Sequence, residues 1–413
     1  MRLIYTLSVW IYTAAITIVS PFNSKAKKWL VGRKRLLAKI KSDLKKHKIK
    51  PKEAIWIHCA SLGEFEQGRP LIEKIKEVEP SSIIILTFFS PSGFEIRRNY
   101  PQADFVYYLP ADTPNNAKEF IRIIRPKQVY FVKYEFWFNY LNELKFNNIN
   151  TYLVSGIFRK KQHFFKWYGG WFKEQLSAFT QFFVQHESDK ALLNSIGYKN
   201  VTVSGDTRFD RVKSIASSIK PIPLIESFMK SKKLMVAGST WKEDDNLIAQ
   251  LDLTKEGFKL VVAPHEVNAS RIQELFAVYK NKRCIEMSKA NEENVNEYDV
   301  LIIDSYGLLS SIYNYGSVAY IGGGFGAGIH NTLEAATFGL PTVFGPNYHK
   351  FSEAIELINL RGAYSIKNAE ELKRKIGELL KEDNLSAASQ LSKNFVNNNT
   401  GATSSILSHT ISL

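Results

Sequence analysis

Cysteine is scarce in this sequence of 413 residues, which contains only Cys59 and Cys284. Two cysteines cannot build a disulfide framework or a cysteine-rich zinc module, and such sparse use is typical of proteins that fold in a reducing compartment. The eight histidines form no His-x-x-x-His pair, and no Asp-x-Asp pair follows a predicted strand. A Gly-x-Ser-x-Gly nucleophile motif is also missing. These absences argue against a serine hydrolase, and we expect no bound metal.

Acidic residues are nearly absent from the first 50 positions, which hold thirteen lysines and arginines but only one acid, Asp43. The rest of the chain carries 42 basic and 39 acidic groups, so the formal charge of +15 is concentrated in residues 1–50. A nucleic-acid-binding domain needs a basic face on its folded body, and a nearly neutral body does not provide one. We therefore expect no nucleic-acid partner.

Charged residues are missing from residues 3–24. This run is long enough to cross the roughly 30 Å hydrocarbon layer of a membrane, which takes about 20 helical residues. Several Ser and Thr residues dilute its hydrophobicity, so a helix lying in the interface is an alternative to a span. A cleaved signal peptide fits less well, because only Arg2 precedes the run and the dense positive charge follows it. We predict a membrane anchor at residues 1–24 and a basic neck at residues 25–50, which faces the cytoplasm. Membrane lipids are thus expected partners of residues 1–50, through their anionic headgroups.

Beyond residue 50, short apolar runs alternate with amphipathic stretches of helical length. This alternation is typical of a parallel sheet that is covered by helices on both faces. A stretch with Ser and Pro at 214–223 interrupts it, and we interpret that stretch as a linker between domains at 51–213 and 224–413. We predict strands at Ala54–Cys59, 82–88, Phe105–Tyr108, Gln128–Val132, 151–154, Gln181–Val184 and Val201–Val203, then at 233–237, 258–263, 300–303, Val318–Ile321 and 341–344. Ligands of such sheets bind beyond the carboxyl ends of the strands, so the residues just after each strand are the candidates for a site.

The segment Ser61-Leu62-Gly63-Glu64 directly follows the first predicted strand. Its small residues permit a tight turn into a helix, which places Glu64 in the first helical turn at the carboxyl end of the strand. A carboxylate at that position can accept a proton from an incoming hydroxyl group and act as a general base. The alternative is structural, because an acidic residue near a helix N-terminus is stabilised by the helix dipole.

A glycine-rich segment, GGGFGAG at 322–328, follows the predicted strand Val318–Ile321 and precedes a predicted helix that begins near Asn331. Glycine lets the backbone approach a phosphate closely, and a helix N-terminus offers free N–H groups. Glu334, one turn into the helix, is placed to accept hydrogen bonds from a nucleotide ribose. The segment is neither a Walker A loop nor a dinucleotide-binding fingerprint. A flexible glycine turn without a ligand is the alternative.

Polar residues follow other strands of the second domain, among them Ser239 and His265. Both are candidate ligand contacts, although helix capping is the more frequent reason for a small polar residue at such a position. The neighbouring pair Asp244-Asp245 falls within a predicted helical turn. We expect these two carboxylates to lie on a solvated face.

Several segments together resemble the Kdo transferases, which attach 3-deoxy-D-manno-octulosonic acid (Kdo) from CMP-Kdo to a lipid A precursor. The resemblance keeps the order of the family and covers most of the chain beyond residue 50. The segments that carry it are WIHCASLGE at 56–64, YEFWFN at 134–139, SGDTRFD at 204–210, GSTW at 238–241 and GGGFGAGIHNTLEAATFGLPTVFGP at 322–346.

The resemblance implies an α/β fold with two facing Rossmann-like domains, the GT-B glycosyltransferase arrangement, preceded by an N-terminal membrane-anchor helix. It implies that Glu64 is the catalytic base and that Gly323, Gly324, His330, Asn331 and Glu334 hold the CMP part of the donor. The expected reaction is inverting transfer of Kdo from CMP-Kdo to a lipid IVA-like precursor in lipopolysaccharide core biosynthesis. It would take place at the cytoplasmic face of the inner membrane, without a cofactor or a metal.

The sequence departs from the family pattern at two positions near the expected nucleotide. The family's Arg-His-Pro is replaced by Pro264-His265-Glu266, so an arginine is missing unless Arg271 substitutes for it. The usual Gly-Gly-Ser ends in Gly324, which removes a hydroxyl group. Two other functions stay open, a sugar-nucleotide epimerase of the same architecture and a non-catalytic membrane-tethered scaffold. The uncharged N-terminal run counts against the first, and the presence of Glu64 and Glu334 counts against the second.

Overall fold

The computed structural model describes residues 1–253 and 257–411. The chain divides into two compact units, the first formed by Met1–Arg211 with Thr400–Leu413 and the second by Val212–Asn399. Each unit contains one parallel sheet of seven strands. The predicted fold class, α/β with two Rossmann-like domains, is confirmed.

Unit 1 is built on strands that are buried along almost their whole length, because helices cover both faces of the sheet. Its strands are β1 Ala54–Cys59, β2 Ile83–Phe88, β3 Phe105–Tyr108, β4 Gln128–Val132, β5 Asn150–Gly156, β6 Gln181–Val184 and β7 Val201–Val203. Its helices are α1 Arg2–Val19, α2 Ser24–Val31, α3 Leu36–Lys46, α4 Leu62–Val78, α5 Pro91–Arg97, α6 Pro114–Ile124, α7 Phe138–Phe146, α8 Gly170–Gln175, α9 Glu187–Ser195 and α10 Thr207–Ser217, the last of which contains the boundary of the unit. The strand order is β3-β2-β1-β4-β5-β6-β7.

Unit 2 repeats this plan. Its strands are β8 Lys233–Thr240, β9 Phe258–Pro264, β10 Cys284–Glu286, β11 Val300–Ile302, β12 Val318–Ile321, β13 Thr342–Phe344 and β14 Ala363–Ser365. Its helices are α11 Pro223–Met229, α12 Lys242–Ile248, α13 Ala269–Val278, α14 Leu309–Ile312, α15 Leu333–Ala336, α16 Ser352–Asn359, α17 Ala369–Leu379 and α18 Glu382–Asn398. The strand order is β10-β11-β9-β8-β12-β13-β14. All twelve predicted strands are present, and the two that the sequence did not predict, β10 and β14, are three-residue strands at the edges of the sheet.

Many helices begin where the sequence offers a capping side chain. Ser90, Thr113, Asn268 and Asn368 each accept a hydrogen bond from a backbone N–H in the first turn of the following helix. Such a cap satisfies one of the N–H groups that have no partner within the helix. These capping residues determine where the helices start. They therefore also determine where the loops that follow the strands end.

The predicted domain boundaries are wrong in two respects. Residues 214–223 are not an open linker, because α10 runs through 214–217. The C-terminal helix α19, Ala402–Thr410, belongs to unit 1 rather than to the second domain. The physical reason lies in Asp210, whose carboxylate accepts hydrogen bonds of 2.6 Å from the amides of Gly401 and Thr403. Those amides are at the start of α19, where N–H groups need a partner.

The first 50 residues form three helices rather than an anchor followed by a free neck. Trp29 on α2 and Leu36, Ile40 and Leu44 on α3 are buried, and the three α3 residues belong to the hydrophobic core of unit 1. Apolar residues spaced four apart form one face of a helix, and here that face completes the core. Within the described residues, α1 is the one helix whose length and apolar composition would allow it to cross a membrane.

Candidate functional site

Each sheet has a switch point, a pair of neighbouring strands from which the strand order continues in opposite directions. Candidate residues lie at both switch points. In unit 1 the point lies between β1 and β4, and in unit 2 it lies between β8 and β12. Open α/β sheets bind their ligands at such switch points, beyond the carboxyl ends of the strands. Glu64 follows β1, whereas Ser239 is the second-last residue of β8 and the glycine-rich segment follows β12.

Glu64 occupies the first turn of α4, as the sequence predicts. Its carboxylate is partly exposed and accepts a hydrogen bond from the hydroxyl group of Ser61, the residue that precedes the helix. The next carboxylate along the helix, Glu66, lies 3.1 Å from the guanidinium group of Arg97. Glu64 is therefore held by a neutral hydroxyl group, whereas Glu66 is engaged in an ion pair. This arrangement leaves Glu64 as the accessible basic group of the turn.

A buried polar cluster lies beneath the same edge of unit 1. The indole N–H of Trp137 donates to Oε2 of Glu135 over 2.6 Å, and that oxygen is 3.4 Å from Nε2 of His58. On the other side of the ring, Nδ1 of His58 is 2.9 Å from Oγ1 of Thr87. Glu135 and His58 are both buried. The cluster links the ends of β1, β2 and β4, and it accounts for Glu135 and Trp137 of the 134–139 segment.

The buried carboxylate of Asp244 binds the glycine-rich segment of unit 2 through hydrogen bonds. The Asp244 carboxylate accepts hydrogen bonds from the amide of Gly323 over 2.9 Å, from the hydroxyl of Tyr320 over 2.8 Å and from the amide of Trp241 over 2.9 Å. Burial raises the pKa of Asp244. The expectation of a solvated face at 244–245 is wrong, because both carboxylates are buried with partners that lie far away in the sequence.

Two glycines of this segment have no room for a side chain. Gly323 has φ +90°, and a Cβ atom there would lie 2.5 Å from the carbonyl oxygen of Gly328. A Cβ atom on Gly324 would lie 2.5 Å from the amide nitrogen of Gly345. Glycine is the residue that tolerates both demands. The loss of the family's serine at position 324 thus matches a backbone approach that excludes any side chain.

The segment also presents amide groups without an internal partner. The amides of Gly322, Gly323, Gly326, Gly328 and of two residues beyond them are bonded within unit 2. In the part of the chain that the structure describes, the amides of Gly324, Phe325 and Ala327 donate to no protein acceptor. Unpaired N–H groups in one loop are candidate donors to an anion such as phosphate.

Three aromatic rings stack beside the glycine-rich segment. The ring of His265 lies 4.8 Å from that of Trp241 and 4.3 Å from that of His330, both nearly parallel to it. The indole N–H of Trp241 points to Nε2 of His330 at 3.3 Å. Burial, aided by His265, lowers the pKa of His330 to about 4, so this ring is neutral at neutral pH. Two predicted residues, His265 and His330, are thus brought together.

The sequence analysis did not select Trp241 as a site residue, although it is part of the stack. The signal was available, because Trp241 directly follows β8 in the segment GSTW. Ser239, in the same segment, has φ +55°, and its backbone carbonyl presses against Gly322 so closely that a Cβ atom there would lie 2.2 Å from it. Ser239 therefore acts through its backbone in shaping the site.

Glu334 and Asn331 are hydrogen-bonded to each other. The amide side chain of Asn331 donates to Oε1 of Glu334 over 3.0 Å, and the hydroxyl of Ser310 donates to Oε2 over 2.7 Å. The helix that contains Glu334, α15, has only four residues, and Asn331 caps it by accepting from the amide of Leu333. The helix predicted near Asn331 is thus a single turn, and its few aligned peptide groups sum to a small dipole.

Arg271 does not take the place of the missing arginine. Its guanidinium group forms an ion pair with the fully buried Asp245 and donates over 2.7 Å to Glu274. Burial raises the pKa of Asp245 to about 6 even with Arg271 beside it. With both ends of the guanidinium group engaged, Arg271 has a structural role.

The predicted residues thus form two groups. Glu64 lies at the switch point of unit 1, and the predicted residues of unit 2 lie around the switch point of that unit: Ser239, His265, Gly323, Gly324, His330, Asn331 and Glu334. The candidate groups are thus a carboxylate in one unit and a loop with free amide groups in the other.

These features place the chain in the class of two-domain α/β proteins that includes nucleotide-sugar enzymes. A solved structure of UDP-N-acetylglucosamine 2-epimerase superposes with a TM-score of 0.60, covering 87% of this chain and 96% of that chain at 14% identity. At such low identity the likeness concerns the fold alone.

Sequence relatives narrow the class to one family. Residues 33–211 match the family model described as 3-Deoxy-D-manno-octulosonic-acid transferase (kdotransferase). The 3-deoxy-D-manno-octulosonic acid transferase of Aquifex aeolicus (strain VF5) is 28% identical over 338 residues, covering 80% of this chain and 86% of that protein. That of Rickettsia bellii (strain RML369-C) is 28% identical over 348 residues and covers 82% of each chain. Over about 80% of its length the chain is thus similar to Kdo transferases, and this similarity supports a glycosyltransferase.

Proposed function

We propose that this glycosyltransferase moves Kdo from CMP-Kdo to a hydroxyl group of a lipid A precursor, a step of lipopolysaccharide synthesis. The observation that carries the proposal is the accessible Glu64 carboxylate at the β1–β4 switch point, in a chain whose second unit offers a phosphate-binding loop. The donor and the acceptor are assigned from the Kdo transferases that the chain resembles. In the proposed site Glu64 is the base, and the unit 2 residues hold the nucleotide.

The proposed reaction has one bond-making and one bond-breaking event. The acceptor hydroxyl loses its proton to Glu64 while its oxygen attacks the anomeric carbon of Kdo, and the bond from that carbon to the CMP phosphate oxygen breaks. Attack from the face opposite the leaving group inverts the configuration. The CMP phosphate leaves with the electron pair of the broken bond. General-base assistance of this kind contributes about 10²–10⁴-fold in rate.

The leaving phosphate is assigned to the free amides of Gly324, Phe325 and Ala327. Hydrogen-bond donors that are already oriented stabilise developing negative charge without reorganising during the reaction. These loop amides take the role that we expected of the helix N-terminus near Asn331, because α15 is a single turn. The stacked rings of Trp241, His265 and His330 offer a flat edge for the nucleotide, and Glu334 is the proposed acceptor for ribose hydroxyl groups.

A membrane location follows from the proposed acceptor, which is itself a membrane lipid. The uncharged face of α1 and the basic residues that follow it would keep the enzyme beside that lipid. Attachment of enzyme and acceptor to one surface raises their effective concentration. We assign the enzyme to the cytoplasmic face of the inner membrane, because positively charged flanks stay in the cytoplasm.

The test compares Kdo transfer by the wild type with that by Glu64→Ala, using CMP-Kdo generated in place and a lipid A precursor as the acceptor. We expect the variant to lose about 10²–10⁴-fold in turnover while it still binds CMP. Glu66→Gln is the matched control, because it removes a carboxylate from the same helical turn that is paired with Arg97, and we expect it to retain activity. No transfer by folded, membrane-bound wild type would refute the assigned donor or acceptor. Full activity of Glu64→Ala would refute the role of Glu64, and Glu135 would be the next carboxylate to test.

A further inference from the structure

The first half of α1 is attached to the body of unit 1. The hydroxyl of Tyr5 donates to Oδ2 of the buried Asp112 over 2.6 Å, and its ring meets the ring of Phe138 edge-on at 4.9 Å. Thr6 is also buried, and Arg2 donates to the side chain of Asn139 over 3.3 Å. These contacts join the start of the helix to the segments that follow β3 and β4.

The second half of α1 is attached as well. The ring of Tyr12 lies 6.1 Å from both Trp29 and Phe89. Trp29 is in turn covered by the guanidinium group of Arg33, 3.9 Å from the ring, and Arg33 donates to the carbonyl oxygens of Leu109 over 2.8 Å and of Phe89 over 2.9 Å. Phe89 directly follows β2. The helix is thus attached to the carboxyl edge of the unit 1 sheet through Arg2, Tyr5 and Tyr12.

The opposite side of α1 has no protein against it and is apolar. Its exposed side chains recur every three or four residues, which places them on one face of the helix. They are Leu3, Ile4, Leu7, Trp10, Ile11 and Ile18, and Phe22 after the helix is 92% exposed. Large exposed apolar patches mark surfaces that bind protein or membrane.

The surroundings of this face match an anionic membrane surface. Lys25, Lys27 and Lys28 follow the helix and are exposed. Trp167, which is 96% exposed, precedes Trp171, and the ring of Trp171 lies 6.2 Å from that of Tyr5. Tryptophan and lysine are enriched where headgroups meet acyl chains, and basic residues there attract anionic lipids.

We propose that α1 lies in the plane of the bilayer and does not cross it. The apolar face enters the boundary between headgroups and acyl chains of an anionic membrane, while the other face stays on unit 1. A helix that spans the bilayer is surrounded by hydrocarbon or by other membrane helices. For α1 to span, it would have to leave unit 1 and break the bond between Tyr5 and the buried carboxylate of Asp112. This inference rests on the proposed attachment of the enzyme to a membrane, and it specifies the mode of that attachment.

The in-plane position has a consequence for catalysis. Phe89, which contacts α1, follows β2, and Glu64 follows β1, the neighbour of β2 in the sheet. The membrane surface would therefore meet unit 1 at the edge that carries the proposed base. A lipid acceptor could present its hydroxyl group there without its acyl chains leaving the bilayer.

Trp10 provides the test, because it lies near the middle of α1. A spanning helix would place it close to the bilayer centre, roughly 15 Å below the headgroups, whereas an interfacial helix buries its apolar face only about 5–10 Å. The full-length protein is mixed with vesicles of phosphatidylcholine and phosphatidylglycerol whose acyl chains carry bromine either near the headgroups or near the bilayer centre. Bromine quenches tryptophan fluorescence at short range, and the difference between wild type and Trp10→Phe isolates the signal of Trp10.

We expect bromine near the headgroups to quench the Trp10 signal more strongly than bromine at the centre. The opposite order would overturn the in-plane position and leave the membrane attachment intact. No flotation of the protein with either vesicle would refute the attachment itself, independently of any result from the Kdo transfer assay. The double variant Leu7→Glu/Ile11→Glu should lower vesicle affinity by roughly tenfold or more, since each side chain loses its apolar burial. Leu360→Glu, at an exposed leucine of unit 2, should leave vesicle affinity unchanged.

Discussion

Replacement of Arg271 by methionine should destabilise unit 2 strongly. In the wild type the guanidinium group compensates the fully buried Asp245 carboxylate and also binds Glu274. Methionine keeps much of the aliphatic stem but leaves the Asp245 charge without its partner. Removal of one partner of a buried ion pair costs about 3–5 kcal/mol. For a unit of this size the loss corresponds to a fall of roughly 6–20 °C in its melting temperature.

The destabilisation should depend on pH in a direction that the structure fixes. Burial raises the pKa of Asp245 from 3.8 to about 6 in the folded protein, so the folded state takes up a proton at a pH where the unfolded carboxyl group is still ionised. A carboxyl group whose pKa is raised by folding lowers the stability of the folded state at high pH. This penalty disappears as the pH falls through the pKa that the group has in the folded state. Without Arg271 the pKa of Asp245 should rise further. The loss in the variant should therefore be largest near about pH 8 and shrink toward about pH 5.

The assay is thermal unfolding of wild type and Arg271→Met across this pH range, together with CMP binding. Lys242→Met is the matched control, because Lys242 reaches the same Glu274 at 2.9 Å from a side chain that is 64% exposed. An exposed ion pair is screened by solvent and contributes little, so this control should unfold almost as the wild type does. A wild-type melting temperature of Arg271→Met combined with lost CMP binding would refute the structural role. It would instead make Arg271 the substitute for the family's missing arginine.

Three further changes test individual contacts. Trp241→Phe removes the N–H that faces Nε2 of His330. The pKa of His330 should then rise above about 4, by up to about one unit, in an NMR titration, and an unchanged titration would contradict the contact. Gly324→Ser has no room for its Cβ atom and should weaken CMP binding at least tenfold, an effect of about 1.4 kcal/mol. Gly326→Ser, whose Cβ atom would make an ordinary contact of 3.7 Å with the carbonyl oxygen of Gly323, should bind as the wild type does. Asp210→Ala removes the two hydrogen bonds at the start of α19 and should cost about 1 kcal/mol in the free energy of unfolding of unit 1; unchanged stability would contradict the capping role.

The strands were predictable because a buried parallel strand is a local pattern. Val318–Ile321 is an uninterrupted apolar run and Ala54–Cys59 contains one polar residue, His58; the structure places strands with these bounds. The residues just after them were therefore correctly placed at the carboxyl edges of the sheets. Glu64 in the first turn of α4 is one result of that local reasoning.

The remaining errors concern features that depend on contacts distant in sequence. Asp244-Asp245 has the local appearance of a solvated pair, and it is buried because Gly323 and Arg271 provide partners 79 and 26 residues away. The length of α15 was overestimated because the run after Asn331 has good helical propensity, yet tertiary structure allows it one turn. The C-terminal helix returns to unit 1 through Asp210, about 190 residues earlier.

The proposed donor site relies on neutral dipoles rather than on charged side chains. The arginine typical of the family is absent, Arg271 is engaged elsewhere, and the low pKa of His330 leaves that ring uncharged. The field of a dipole decreases with distance faster than that of a charge, so free amides stabilise a phosphate only in close contact. Close contact requires a backbone without side chains in the way. Gly323 and Gly324, which have no room for a Cβ atom, let the backbone amides come close to the phosphate. In the proposed site this close contact takes the place of the long-range attraction that an arginine would provide.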